Sequence, residues 1–142
     1  GEPLFGSIES RLSQLLFAVP GIKGVEFGSG FKLAEMTGSE ANDPYRYEND
    51  RIVTKSNHNG GVLGGMSTGM PVILRVAVKP TPSIGVTQQT VNLKTGKNTT
   101  IEIGGRHDPA IVLRAVPIVN AVLAYGVLDL LFQYHEKDWL AP

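Results

Sequence analysis

Apolar residues recur at Ile8, Leu12, Leu15 and Leu16, the i, i+4, i+7, i+8 spacing of one helix face, and predict an amphipathic helix over residues 7–18. Ser7 suits its N-cap, and Pro20-Gly21 ends it. Residues 22–27 then read as a short strand closing on Gly28-Ser29-Gly30. Residues 32–59 are polar and turn-rich, with Asn42-Asp43-Pro44 and little periodicity, and predict a long irregular loop carrying short strands. Further on, Val72, Leu74, Val76 and Val78 alternate with Ile73, Arg75, Ala77 and Lys79, which is the period of a strand. One face of it is aliphatic, and Arg75 and Lys79 share the other. Residues 91–93 and 99–103, joined around Thr95-Gly96-Lys97, predict a hairpin. An apolar stretch over residues 110–132, interrupted by Pro117, predicts a closing helix. Helix, strands, long loop, strands and helix together predict an α+β domain, its antiparallel or mixed sheet packed against helices.

The apolar stretch raises the question of a membrane. Between Arg114 and Asp129 it falls short of the ~20 apolar residues a span needs, and Pro117 and Asn120 interrupt it. The expectation is therefore a helix buried between two layers of the same protein, and no membrane partner. Length, at 142 residues, supports one domain with a core. Lys+Arg and Asp+Glu are equal at 13 each, so bulk charge gives no reason to expect nucleic acid. The absence of cysteine removes disulfides and thiolate chemistry and fits a reducing, cytoplasmic setting. Gly1-Glu2-Pro3 carries no secretory signal, and the chain reads as a fragment or excised domain.

The densest local chemistry is Gly104-Gly105-Arg106-His107-Asp108-Pro109, at the mouth of the predicted last helix. Pro109 suits the first helical position and Asp108 the N-cap. A helix start concentrates free N–H groups and attracts anions. Arg106, His107 and Asp108 together suggest an anion-binding site in which the carboxylate accepts a proton. The glycine-rich connector over residues 60–69 could form an anion nest. It has neither a Gly-Lys-[Ser/Thr] ending nor a Gly-x-Gly-x-x-Gly spacing, and glycines needed for positive φ or close backbone packing are the favoured explanation. Lys79-Pro80-Thr81-Pro82-Ser83 is either a strand-ending turn or a rigid holder for a phosphate or flat ring. His58 suits a loop hydrogen bond and His135 lies in a polar tail. His58 and His107 lack the spacing and carboxylate of a zinc site, so no metal is expected.

These motifs, in this order, resemble the C-terminal portion of the chorismate synthase family. The resemblance covers nearly the whole chain, through Ile22-Lys23-Gly24-Val25-Glu26-Phe27-Gly28-Ser29-Gly30-Phe31, Ser56-Asn57-His58-Asn59-Gly60-Gly61, Gly64-Gly65-Met66-Ser67-Thr68-Gly69-Met70-Pro71, Lys79-Pro80-Thr81 and Gly105-Arg106-His107-Asp108-Pro109. It implies part of the family's β-α-β sandwich and a 1,4-anti elimination of phosphate from 5-enolpyruvylshikimate 3-phosphate, giving chorismate. It also implies reduced FMN, which donates an electron transiently before a ring proton is removed, and a homo-oligomer, a tetramer in the family. By the same resemblance Pro20 and Gly21 border the flavin and Gly64 touches it. Lys79, Pro80, Thr81, Pro82 and Ser83 would hold it, with Arg106 and His107 at its side. Asp108 would be the aspartate near the flavin N5 that moves a proton. Asn120 stands where the family often has glutamate, and the family's two catalytic histidines have no counterpart in this chain. The alternative is a catalytically incomplete flavin-binding or oligomerisation module.

Overall fold

A computed structural model of the chain describes residues 1–108 and 110–139. Helix α1 spans Ile8–Phe17, and the Ser7 side chain accepts the Ser10 N–H at its start. Ile8, Leu12 and Leu16 are its buried stripe, as the spacing requires. Strand β1, Ile22–Phe27, follows directly. The predicted irregular segment resolves into a 3-10 turn at Gly30–Glu35, one turn of helix α2 at Gly38–Ala41, and a hairpin of β2, Tyr45–Glu48, and β3, Arg51–Thr54. The glycine-rich connector makes a two-residue hairpin, β4 at Val62–Leu63 and β5 at Met66–Ser67. Strand β6 spans Leu74–Val78, and β7, Gln88–Asn92, pairs with β8, Lys97–Ile101. The chain ends its described course in the long helix α3, Val112–Trp139.

The α+β class is what the structure presents. Among the described residues the strand pairings are antiparallel and divide into four separate two-stranded units. The unit that matters most joins the distant strands β1 and β6, with Val25 opposite Val76 and Glu26 opposite Arg75. Glu26 and Arg75 close that register with an ion pair at 2.7 Å, a cross-strand contribution of roughly 0.2–1 kcal/mol. In β6 the residues Leu74, Val76 and Val78 are half-buried and Arg75 and Ala77 exposed, the alternation expected from sequence. Beside this pair, Gly28 and Gly60 cross so closely that a Cβ on either would collide with the other's backbone. Both sit at positive φ, so glycine is needed here for shape and space together.

The small core gathers Ile8, Leu12 and Val62, with Phe27, Leu74, Leu123 and Leu130 packed against it. Helix α3 meets α1 through Gly126, where a Cβ would approach Leu12 and Leu15 side-chain carbons to 2.7 Å. An ion pair at 3.2 Å between Arg11 and Asp129 flanks that contact.

Two expectations about the last helix are corrected. It runs unbroken through Pro117 and past Asp129, so the apolar segment Val112–His135 is long and apolar enough to cross a membrane by length and composition. Counting only to Asp129 missed this, because a single aspartate that pairs with Arg11 does not stop a helix. Nor is the helix enclosed between layers, since only 11% of that apolar window is buried. Along one side, an open groove of about 560 Å³ separates Val112, Val116 and Val119 from the aliphatic face of β6.

Candidate functional site

Three sequence-distant pieces meet at the C-terminal end of α1. The Lys79 N–H donates to the Gly21 carbonyl at 2.7 Å, fixing the exit of β6 against the Pro20-Gly21 turn. A Cβ at Gly21 would lie 3.4 Å from Ile111 Cδ1, so the approach to α3 presses on the same turn. Between the end of α1 and α3 lies an apolar recess of about 670 Å³, bordered by Pro20, Ile111, Arg114, Ile118 and Tyr125 among others. Such a recess can take a flat ring against backbone.

The other residues expected at the site from sequence stand in two states. Lys79, Pro80, Pro82, Ser83 and Arg106 are exposed. Thr81 Oγ1 is out of solvent, with no hydrogen-bond partner among the described residues. A buried hydroxyl left unpaired is costly and marks a place where a ligand group would satisfy it. His107 is turned to its own loop, its Nε2 2.8 Å from the Ile103 carbonyl oxygen.

Asp108 differs from its expected role. Helix α3 begins at Val112, four residues downstream, so Asp108 does not cap it. Pro109, expected at the first helical position, lies outside the described residues. The Asp108 carboxylate instead meets the Arg114 guanidinium, Nη2 to Oδ2 at 2.5 Å. That approach is an ion pair without hydrogen-bond alignment, so Oδ2 is buried beside a positive charge yet lacks a directed donor. Asp108 is thus a carboxylate held by Arg114 and not the cap of the helix.

Gly64 is not brought to this place. It lies in the β4–β5 turn beside Gly65, whose carbonyl accepts the Ile8 N–H at the opposite end of α1. Ten residues of helix put roughly 15 Å between the two ends. Nothing stands within 4 Å of a Cβ built at Gly64, so neighbouring side chains do not demand glycine there.

Two residue groups escaped sequence reasoning. Arg114, read only as a flank of the apolar run, is the partner of Asp108. Asp43 is the other. Its Oδ1 accepts from Ser56 Oγ at 2.7 Å and the His58 N–H at 2.8 Å, and its Oδ2 from the Asn59 N–H at 2.9 Å and Asn59 Nδ2 at 2.8 Å. Burial pulls its pKa upward, but these donors outweigh it and bring the pKa down from 3.8 to about 2. His58, in turn, holds Ser29, Nδ1 to Oγ at 2.8 Å, the loop hydrogen bond its sequence position suggested. The Asn-Asp-Pro tripeptide signals a turn but not these bonds, whose partners lie 13–16 residues away.

Comparison with known proteins agrees with the motifs. The family model described as chorismate synthase matches residues 1–132. The chain is 53% identical over 130 residues to a chorismate synthase of Dehalococcoides mccartyi, covering 92% of this chain and 36% of that protein. It is 51% identical over 129 residues to one from Korarchaeum cryptofilum (91% and 36%) and 52% over 134 residues to one from Pyrococcus abyssi (94% and 38%). A solved structure described as a crystal structure of chorismate synthase aligns with TM-score 0.52 and 38% identity, over 54% of this chain and 23% of that one. The chain therefore spans little more than a third of the length of the curated relatives it matches.

Proposed function

The chain belongs to the chorismate synthase family, and from that membership we propose that the full-length protein eliminates phosphate from 5-enolpyruvylshikimate 3-phosphate to give chorismate, with reduced FMN as cofactor. One observation carries this reading. The Lys79 N–H bonds the Gly21 carbonyl, Gly21 abuts Ile111 on the wall of an apolar recess, and the partly buried Asp108 is tied to that recess through Arg114.

The residues present fit a flavin. Pro20 and Gly21 offer backbone to a flat ring, and the unpaired Thr81 Oγ1 offers it a hydrogen bond. Pro80 and Pro82 hold that loop stiff, with Ser83 as a further hydroxyl. Lys79 and Arg106, both exposed, supply positive charge for the phosphates of cofactor or substrate. His107 braces the loop between them through the Ile103 carbonyl. Reduced FMN, when bound, supplies the transient electron that helps phosphate leave. Loss of phosphate breaks one C–O bond of the substrate ring, and loss of a ring proton completes the new double bond. Asp108 Oδ2, buried and without a directed donor, is the group to hold that proton.

A second reading is that these 142 residues alone form a flavin-binding or oligomerisation module without turnover. The separation of Gly64 from Pro20 and Gly21 along α1 favours it, because one end of the expected flavin contact set stands apart. The uncovered side of α3 would then be closed by the remainder of the full-length protein and by further copies. The activity is tested on the full-length protein with reduced FMN and substrate under anaerobic conditions, following chorismate. Asp108→Asn is expected to lower kcat by about 10²–10⁴-fold, the usual range for general acid–base groups, with flavin affinity little changed. Weaker flavin binding with unchanged turnover per bound flavin would reduce Asp108 to a structural residue.

A further inference from the structure

We infer that Arg114 is a positioning residue for Asp108, an assignment that rests on the proton-transfer role proposed above. The two are six residues apart, one in the loop before α3 and the other in its first turn. Their contact, at 2.5 Å, is the ion pair the structure gives Asp108. Arg114 also borders the apolar recess beside Pro20 and Ile111. It therefore joins the wall of the recess to the carboxylate.

The form of the contact matters as much as its presence. A bidentate arginine would engage both carboxylate oxygens through aligned hydrogen bonds and occupy their lone pairs. Here the guanidinium approaches Oδ2 without that alignment, so the charge fixes where the carboxylate sits while Oδ2 stays free of a directed donor. The other polar neighbours do not provide this hold. His107 faces the Ile103 carbonyl, and the first turn of α3 contains no acidic residue to compete for Arg114. The helical backbone fixes where the Arg114 side chain begins, although the side chain itself is 73% exposed.

The assignment is tested in the full-length protein with Arg114→Gln, Arg114→Lys, Asp108→Asn and the double variant Asp108→Asn/Arg114→Gln. Flavin affinity, thermal midpoint, kcat and KM are measured for each. Arg114→Gln is expected to lower kcat by up to about 100-fold, as small misplacements of a catalytic group do, with flavin affinity and midpoint near those of the parent. Arg114→Lys, which keeps the charge, recovers part of the loss. In the double variant Arg114→Gln adds nothing to the effect of Asp108→Asn. An Arg114→Gln protein with parental kcat, beside an inactive Asp108→Asn, overturns the assignment, as does a fully additive double variant. An active Asp108→Asn overturns instead the proton-transfer reading on which it rests.

Discussion

At the scale of single residues, Asp43 shows how one side chain orders a stretch that looks featureless in sequence. Its carboxylate gathers Ser56, His58 and Asn59, and His58 then fastens Ser29 beyond the end of β1. The folded pKa, about 2, lies below the ordinary 3.8. A depressed carboxylate stabilises the fold above its unfolded pKa and loses that stabilisation as pH falls through the folded value. Between about pH 4 and pH 2 the parent should therefore lose stability. Solvent screening at this partly exposed site limits the loss to about 1–2 kcal/mol. Asp43→Asn should lower stability at pH 6 and flatten the acid dependence, read from urea midpoints across pH in the full-length protein. An unchanged slope would show that the Asp43 bonds do not persist in solution. Sequence reasoning found Ser7 as a cap because it acts within its own segment, and it found that His58 hydrogen-bonds but not that Ser29 is its partner. It missed Asp43 because its partners lie 13–16 residues away, and it misplaced Asp108 because the helix begins at Val112 and not beside it.

At the scale of elements, the periodic segments were the legible ones. Helix α1, β1 and β6 appear where the 3.6 and 2.0 residue periods place them, with ends shifted by a residue or two. Register was not legible, because nothing in the sequence states that Glu26 faces Arg75, 49 residues further along the chain. The contact of α1 with α3 was equally hidden. Gly126 sits inside a helix, where glycine costs about 1 kcal/mol relative to alanine, and its use is explained only by the approach of Leu12 and Leu15. Gly126→Val should overpack this crossing and destabilise the fold by about 1–3 kcal/mol, measured by chemical denaturation of the full-length protein. A neutral result would mean the helices separate readily, and with them the recess beside Pro20.

At the scale of the whole molecule, four separate antiparallel pairs and a largely uncovered apolar helix describe a piece that leaves much hydrophobic surface in water. Large exposed apolar patches are unusual on monomeric soluble proteins. The 142 residues on their own should therefore associate, seen as a concentration-dependent mass in sedimentation. Mixed with reduced FMN and substrate they should form no chorismate; turnover by these residues alone would overturn the view that the absent histidines are needed.

The sequence by itself determined the class of fold, the helical and extended segments, and, through several ordered motifs, the family. Those depend on local periodicity and on residues adjacent in the chain. Only the tertiary structure decided that Lys79 ties to Gly21, that Gly64 stands at the far end of α1, and that Asp108 answers to Arg114 and does not cap a helix. The first two are placements across space, set by how α1, β6 and the β4–β5 turn pack, and packing is a property of surfaces that no single segment carries; the third is set by where α3 begins.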